Sequence, residues 1–215
     1  MEHLLPLKVV YLLMFGTALL WTVVYTLVIY RGFKDKFCGM PPASICANIT
    51  WEFLFTFLMP FHPLQQIVTL VWFLLDCIIL LQYLYYSKGL YPKRTLHAAV
   101  FSLLVIALLL HYGMAVEFHD KWGIYSAFGI NLLMSILFIQ MLLVKGPQGQ
   151  SLPIAYCKMI GTLCASFFSY SLFPQSVLLT IMYVLIFILD AAYILLLASR
   201  SVSSTHKPAI TNKTI

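Results

Sequence analysis

SVLLTIMYVLIFILDAAYILLLA, residues 176–198, carries a single charged side chain, Asp190, in a run that is otherwise apolar or weakly polar. A helix needs about 20 mainly apolar residues to cross a hydrocarbon core roughly 30 Å thick, and this stretch is long enough. Six more segments of the same kind precede it: Val9 to Tyr30, Pro41 to Pro60, Leu64 to Tyr86, Thr95 to Gly113, Ile124 to Val144 and Leu152 to Leu172. None alternates with period two, as a transmembrane barrel strand would. The pattern predicts an all-α polytopic membrane protein of seven transmembrane helices.

The rest of the composition follows from that reading. The 215 residues are 62% apolar and only 9% charged, with a mean hydropathy of +0.93. Seven acidic side chains cannot solvate a water-facing globule of any size, so function belongs among the helices. The first span is too long and too uninterrupted for a cleaved signal sequence. Residues 1–199 form the predicted membrane domain. Residues 200–215, rich in Ser, Thr, Lys and Pro, read as a flexible cytosolic tail.

The basic residues set an expected orientation, because short cytoplasmic loops retain Lys and Arg. Arg31, Lys34, Lys36, Lys88, Lys93, Arg94, Lys145, Arg200, Lys207 and Lys213 all follow odd-numbered spans. Lys158 lies near the start of span six, close to that same side. Lys8 and Lys121 alone occupy the other side. The N-terminus is therefore expected exoplasmic and the C-terminus cytosolic. The net charge of +6 reports topology and attraction to anionic lipid, with no call for nucleic acid. The compartment would be the endoplasmic reticulum in a eukaryote or the cell membrane in a bacterium. Five scattered cysteines without CxxC spacing read as unpaired small hydrophobes.

Spans one to three lie over spans five to seven at a constant offset. Arg31-Gly32 falls on Lys145-Gly146, Leu58-x-Pro60 on Leu172-x-Pro174, and Phe73-x-Leu75-Asp76 on Phe187-x-Leu189-Asp190. These anchors fit a duplication and fit chance in so apolar a chain equally well. A duplication would make the bundle 3+1+3 with parallel repeats, the layout of small transporters.

Three acids lie inside spans: Glu52, Asp76 and Asp190. A carboxylate at a helix centre costs about 2.5–3.5 kcal/mol even on the lenient insertion scale, so each must face the interior with a partner or a purpose. Away from water the neutral acid is favoured, and a neutral acid can donate a proton. At about 1.5 Å of rise per residue, Glu52 lies ~12 Å, Asp76 ~18 Å and Asp190 ~21 Å from the exoplasmic ends. These depths allow either aspartate beside Glu52 and slightly prefer Asp76. Ser44, Asn48, Glu52 and Thr56 recur at i, i+4 as a polar stripe, flanked by Trp51 and Phe55. Trp72 stands one turn before Asp76, and Tyr183, Phe187 and Tyr193 surround Asp190 along span seven. Acid plus aromatics in a dry cavity suits carbocation chemistry: a proton starts the cation, and aromatic faces stabilise it.

The segments Cys38-Gly39-Met40-Pro41 and Asn48-Ile49-Thr50-Trp51-Glu52-Phe53, seven spans and an Asp in the last span together resemble a known family. It is that of the small integral-membrane terpene cyclases of fungal and bacterial meroterpenoid and indole-terpenoid biosynthesis, of the paspaline and pyripyropene type. The resemblance runs over nearly the whole chain, which is shorter than usual for the family. It implies that Glu52 and Asp190 are the essential acids. It also implies a substrate prenylated on an aromatic or indole group, activated by protonation of a terminal epoxide or, in some bacterial relatives, of an alkene. A prenyltransferase and an epoxidase of the same pathway would supply that substrate.

No D-D-x-x-D or D-x-D-D run and no metal-ligand spacing occurs in the sequence, so the expected chemistry needs no metal and no cofactor. The candidate site is Glu52 and Asp190 as catalytic acids, with Asn48, Trp51, Phe55, Trp72, Asp76, Tyr183, Phe187 and Tyr193 against the substrate. The competing reading is a small proton-coupled or facilitative transporter using the same acids, which vesicle uptake would reveal.

Overall fold

The computed structural model describes residues 5–205, with side chains through 200. Seven α-helices form the described chain: α1 (Leu7–Asp35), α2 (Pro42–Phe53), α3 (Pro63–Tyr86), α4 (Lys93–Glu117), α5 (Ile124–Lys145), α6 (Leu152–Leu172) and α7 (Val177–Thr205). Prolines mark the starts. Pro42 and Pro63 open α2 and α3, where a missing N–H costs nothing. Gly123 and Gly146, both at positive φ, bracket α5. Helix α7 runs through Thr205, so the expected tail begins as helix and its remainder lies outside the described residues. All five cysteines are free.

Six of the seven helices are long and apolar enough to span a membrane. The exception is the second helix, which the sequence reading counted as a span from Pro41 to Pro60. Helix α2 has 12 residues and passes into a five-residue π-helical turn, Leu54–Leu58. The difference has a physical origin. Every residue from Ser44 to Thr50 is buried, and so are Glu52 and Thr56. This segment is an internal post wrapped by α3, α4 and α5, and its polar stripe is affordable only there. The outer helices instead expose large apolar side chains such as Leu12, Leu81 and Leu195, as a lipid-facing surface requires.

Helix α1 packs on α6 and α3, and α7 on α5 and α6. Helix α3 touches both α1 and α2, and α7 touches both α5 and α6. On the basic side the α1–α2 and α5–α6 loops are stitched together. Asp35 accepts a hydrogen bond from Gly149 N at 2.9 Å, and a β-carbon on Gly39 would run into the Gly149 carbonyl. This backbone approach explains the glycine of the Cys38-Gly39-Met40-Pro41 segment. Gly39→Ala is expected to cost about 1–3 kcal/mol, since backbone on both sides cannot yield as a side chain would. A thermal melt in detergent checks this, and an unchanged midpoint contradicts it.

Candidate active site

Residues of α1, α2, α3, α5 and α6 enclose a cavity of about 390 Å³, within the size range of small-molecule sites. Its walls are overwhelmingly apolar. Phe15 of α1 and Ile67 of α3 line it while being 64% and 61% exposed. The opening therefore lies between these two helices, sideways into the surrounding lipid.

Glu52 stands at the inner end, 1% exposed. Tyr25 Oη donates to its Oε1 at 3.1 Å, and Asn48 Nδ2 donates to Tyr25 Oη at 2.9 Å. The second carboxyl oxygen, Oε2, has no hydrogen-bond partner among the described residues. Asp76 of α3 is fully buried beside Glu52 and Tyr25, with the Asn48 side chain close to its carboxyl. Two carboxyls thus share an apolar site, and no ion pair joins either of them to a cation among the described residues.

The aromatic surroundings are fixed by their own polar edges. Trp72 Nε1 donates to Thr22 Oγ1 at 3.0 Å, and the Trp72 ring meets Tyr25 edge-on at 6.1 Å. Trp21 lies 5.8 Å from Tyr25 on the other side. Trp51 Nε1 donates to the Gly123 carbonyl at 2.9 Å, tying α2 to the start of α5. Just past Glu52 the π-helical turn loosens the backbone ladder, and Gln66 Nε2 bonds the Thr56 carbonyl at 2.9 Å while Thr56 Oγ1 reaches Thr69 Oγ1 at 2.7 Å. In the loop before α5, Asp120 Oδ2 accepts from Tyr125 N at 2.8 Å. Burial raises the Asp120 carboxyl above its usual range, opposed by the backbone N–H groups of Trp122 to Tyr125.

The third intramembrane acid has a different environment. Asp190 receives Lys158 Nζ at 2.7 and 2.9 Å and Ser135 Oγ at 2.7 Å. Lys158 also donates to Ser135 Oγ at 2.8 Å. Lys158, near the start of α6, is 1% exposed and makes an interior ion pair with Asp190. Asp190 does not line the cavity and makes no hydrogen bond to Glu52 among the described residues.

Of the ten candidate residues, Glu52, Asn48, Trp51 and Trp72 line the cavity, with Asp76 directly behind. Phe55 is buried behind Trp51 against Gly123. Tyr183 packs edge-on against Phe128, a cavity residue, at 4.5 Å and so forms a second layer. Tyr193 donates to Gln150 Oε1 at 2.8 Å in the core. Phe187 is 45% exposed and faces outward. The sequence reading passed over Tyr25, Trp21 and Asn131, all of which line the cavity.

The model of a family described as Pyr4-like transmembrane terpene cyclases matches residues 2–201. Among curated relatives, the chain is similar to terpene cyclase macJ of Penicillium terrestre, 29% identical over 70% of this chain and 62% of the relative. It is also similar to the Pyr4-family terpene cyclase mfmH of Annulohypoxylon moriforme, 25% identical over 80% and 76%. Terpene cyclase pyr4 of Aspergillus fumigatus is 24% identical over 69% and 65%. The chain thus spans less than two thirds of the macJ and pyr4 sequences. No solved structure matches it.

Proposed function

The chain belongs to the Pyr4-like transmembrane terpene cyclases, and from that premise we propose that it cyclises a prenylated substrate by acid catalysis from Glu52. The observation that carries this reading is the free Oε2 of a buried, uncharged-partner carboxyl at the inner end of an apolar cavity. The proton of Glu52 passes to an epoxide oxygen, the bond from that oxygen to the more substituted carbon breaks, and a hydroxyl and a carbocation result. For an alkene substrate, the same proton forms a C–H bond instead. Neighbouring double bonds then attack in turn, and loss of a proton from the last cation leaves an isomer of the substrate. Tyr25 stabilises the Glu52 carboxylate by its hydrogen bond, and Asp76 holds a proton within the pair. Trp21, Trp51 and Trp72 offer aromatic faces to the cation, and the apolar walls exclude water that would quench it. No metal or cofactor is required by these steps.

The lateral opening between α1 and α3 suits a lipid-dissolved prenyl chain, entering from the leaflet that the charge pattern assigns to the exoplasmic side. An upstream prenyltransferase and epoxidase would produce such a molecule, and the membrane they share would be the endoplasmic reticulum in a eukaryote. The relatives are named as cyclases, which sets the transporter reading aside.

Membranes bearing the full chain, incubated with aromatic and indole compounds carrying a farnesyl or geranylgeranyl chain that ends in an epoxide or an alkene, test the reading. The expected result is a new product of unchanged mass and altered chromatographic retention, absent from control membranes. No conversion of any epoxide or alkene in the set would overturn it.

A further inference from the structure

Asn131 on α5 lines the cavity and is 8% exposed. Its Nδ2 donates to Thr162 Oγ1 of α6 at 3.0 Å, while its Oδ1 has no hydrogen-bond partner among the described residues. An amide oxygen stripped of water and left unpaired is costly, and alternative apolar residues of similar size would avoid that cost. Its position is therefore informative. Glu52 lines the same cavity from α2. The unpaired oxygen thus belongs to a second polar side chain of the acid's own cavity.

A polar brace stands directly behind it. One turn along α5, Ser135 Oγ lies 3.0 Å from the Asn131 backbone carbonyl and 2.7 Å from Asp190 Oδ1, alternative acceptors for its one hydroxyl hydrogen. One turn apart on α6, Lys158 reaches Ser135 and Thr162 receives Asn131. Two rungs therefore join α5 to α6 at this one place. Asp190 cancels the Lys158 charge, which would otherwise oppose any positive charge in the cavity.

We propose that the Asn131 amide oxygen contacts the cationic intermediate and determines where the cyclisation stops, with Thr162, Ser135, Lys158 and Asp190 as the residues that position it. This rests on the cyclase reading and assigns a specificity role within it. The negative end of the amide dipole, fixed before reaction in an apolar cavity, lowers the energy of a cation formed beside it relative to cations formed elsewhere along the chain. Cations lacking that stabilisation lose a proton early or rearrange.

The test compares wild type, Asn131→Leu and Thr162→Val, each as the full chain in lipid nanodiscs, on a prenyl epoxide or alkene that the wild type cyclises. Product distribution is read by chromatography and mass, and folding by thermal melt. Asn131→Leu is expected to melt like wild type and to shift the ratio of fully to partly cyclised products by about tenfold or more. Thr162→Val, which keeps Asn131 but frees its amide, is expected to shift the ratio in the same direction and less far. If Asn131→Leu does not fold, Thr162→Val decides alone. A distribution unmoved in the folded variants overturns the proposal. Failure of the wild type on every prenyl epoxide and prenyl alkene overturns the cyclase reading beneath it, whereas an active wild type with unmoved variants overturns only the role of Asn131.

Discussion

Glu52→Gln is expected to reduce cyclisation by about 10²–10⁴-fold, the range that general acid catalysis supplies, while the protein stays folded. The side-chain shape is conserved, and the amide oxygen of Gln can still accept the 3.1 Å hydrogen bond from Tyr25. The substitution also removes one of two adjacent buried acids, so stability should hold or rise. What it removes is the transferable proton. The loss should therefore appear in kcat with KM little changed, because a group acting only in the transition state does not contribute to ground-state binding. Asp76→Asn is the matched control. It keeps the Glu52 acid and its opening to the cavity, and is expected to retain measurable turnover. Wild-type rates in Glu52→Gln would remove Glu52 from the mechanism. An inactive Asp76→Asn with an active Glu52→Gln would move the proton donor to α3.

The second large effect concerns stability. Lys158→Met leaves the Asp190 carboxyl buried without its cation, and Asp190→Leu leaves the Lys158 ammonium in the same position. Breaking one side of a buried ion pair costs about 3–5 kcal/mol, more than replacing both sides with apolar groups of similar volume. Each single variant is therefore expected to melt well below wild type, and the double variant Lys158→Met/Asp190→Leu to recover most of that loss. A double-variant loss equal to the sum of the two single losses would show that the pair does not act as a unit. The recovered double variant carries a further consequence. Ser135 keeps its bond to the Asn131 carbonyl but loses both charged partners, so cyclisation should persist with altered products.

These two effects divide the intramembrane acids by environment, a division the sequence contained only in part. The apolar runs made the helical membrane architecture plain, and the rarity of charge singled out Glu52, Asp76 and Asp190. The i, i+4 stripe on α2 correctly marked a face that is buried. Its true setting, an internal post ending in a π-helical turn, has no local signature, because burial on all sides depends on the packing of α3, α4 and α5. Residue depth slightly preferred Asp76 as the neighbour of Glu52, and the structure puts Asp76 there. The resemblance that favoured Asp190 carries no information about contacts, and Asp190 is held by Lys158 and Ser135 instead.

Lys158 shows what a closer reading of pattern would have found. Lys158, Thr162 and Ser166 recur at i, i+4 on α6, as do Asn131 and Ser135 on α5, and all five are buried. Two facing polar stripes in lipid-soluble helices imply a polar contact between them. The charge of Lys158 was instead absorbed into the count of basic residues near one membrane face. Tyr25 had no such signal. A tyrosine within an apolar span is unremarkable until the fold brings its hydroxyl to Glu52.

The most direct test of the central claim is a structure of the full chain with a non-cyclising aziridine analogue of a prenyl epoxide, whose nitrogen stands where the epoxide oxygen would be. The expected result places that nitrogen within hydrogen-bond distance of Glu52 Oε2, about 2.6–3.2 Å, with the prenyl chain running toward the opening between α1 and α3. A nitrogen seated against Asp190, or at the opening with the chain pointing outward, would contradict the account.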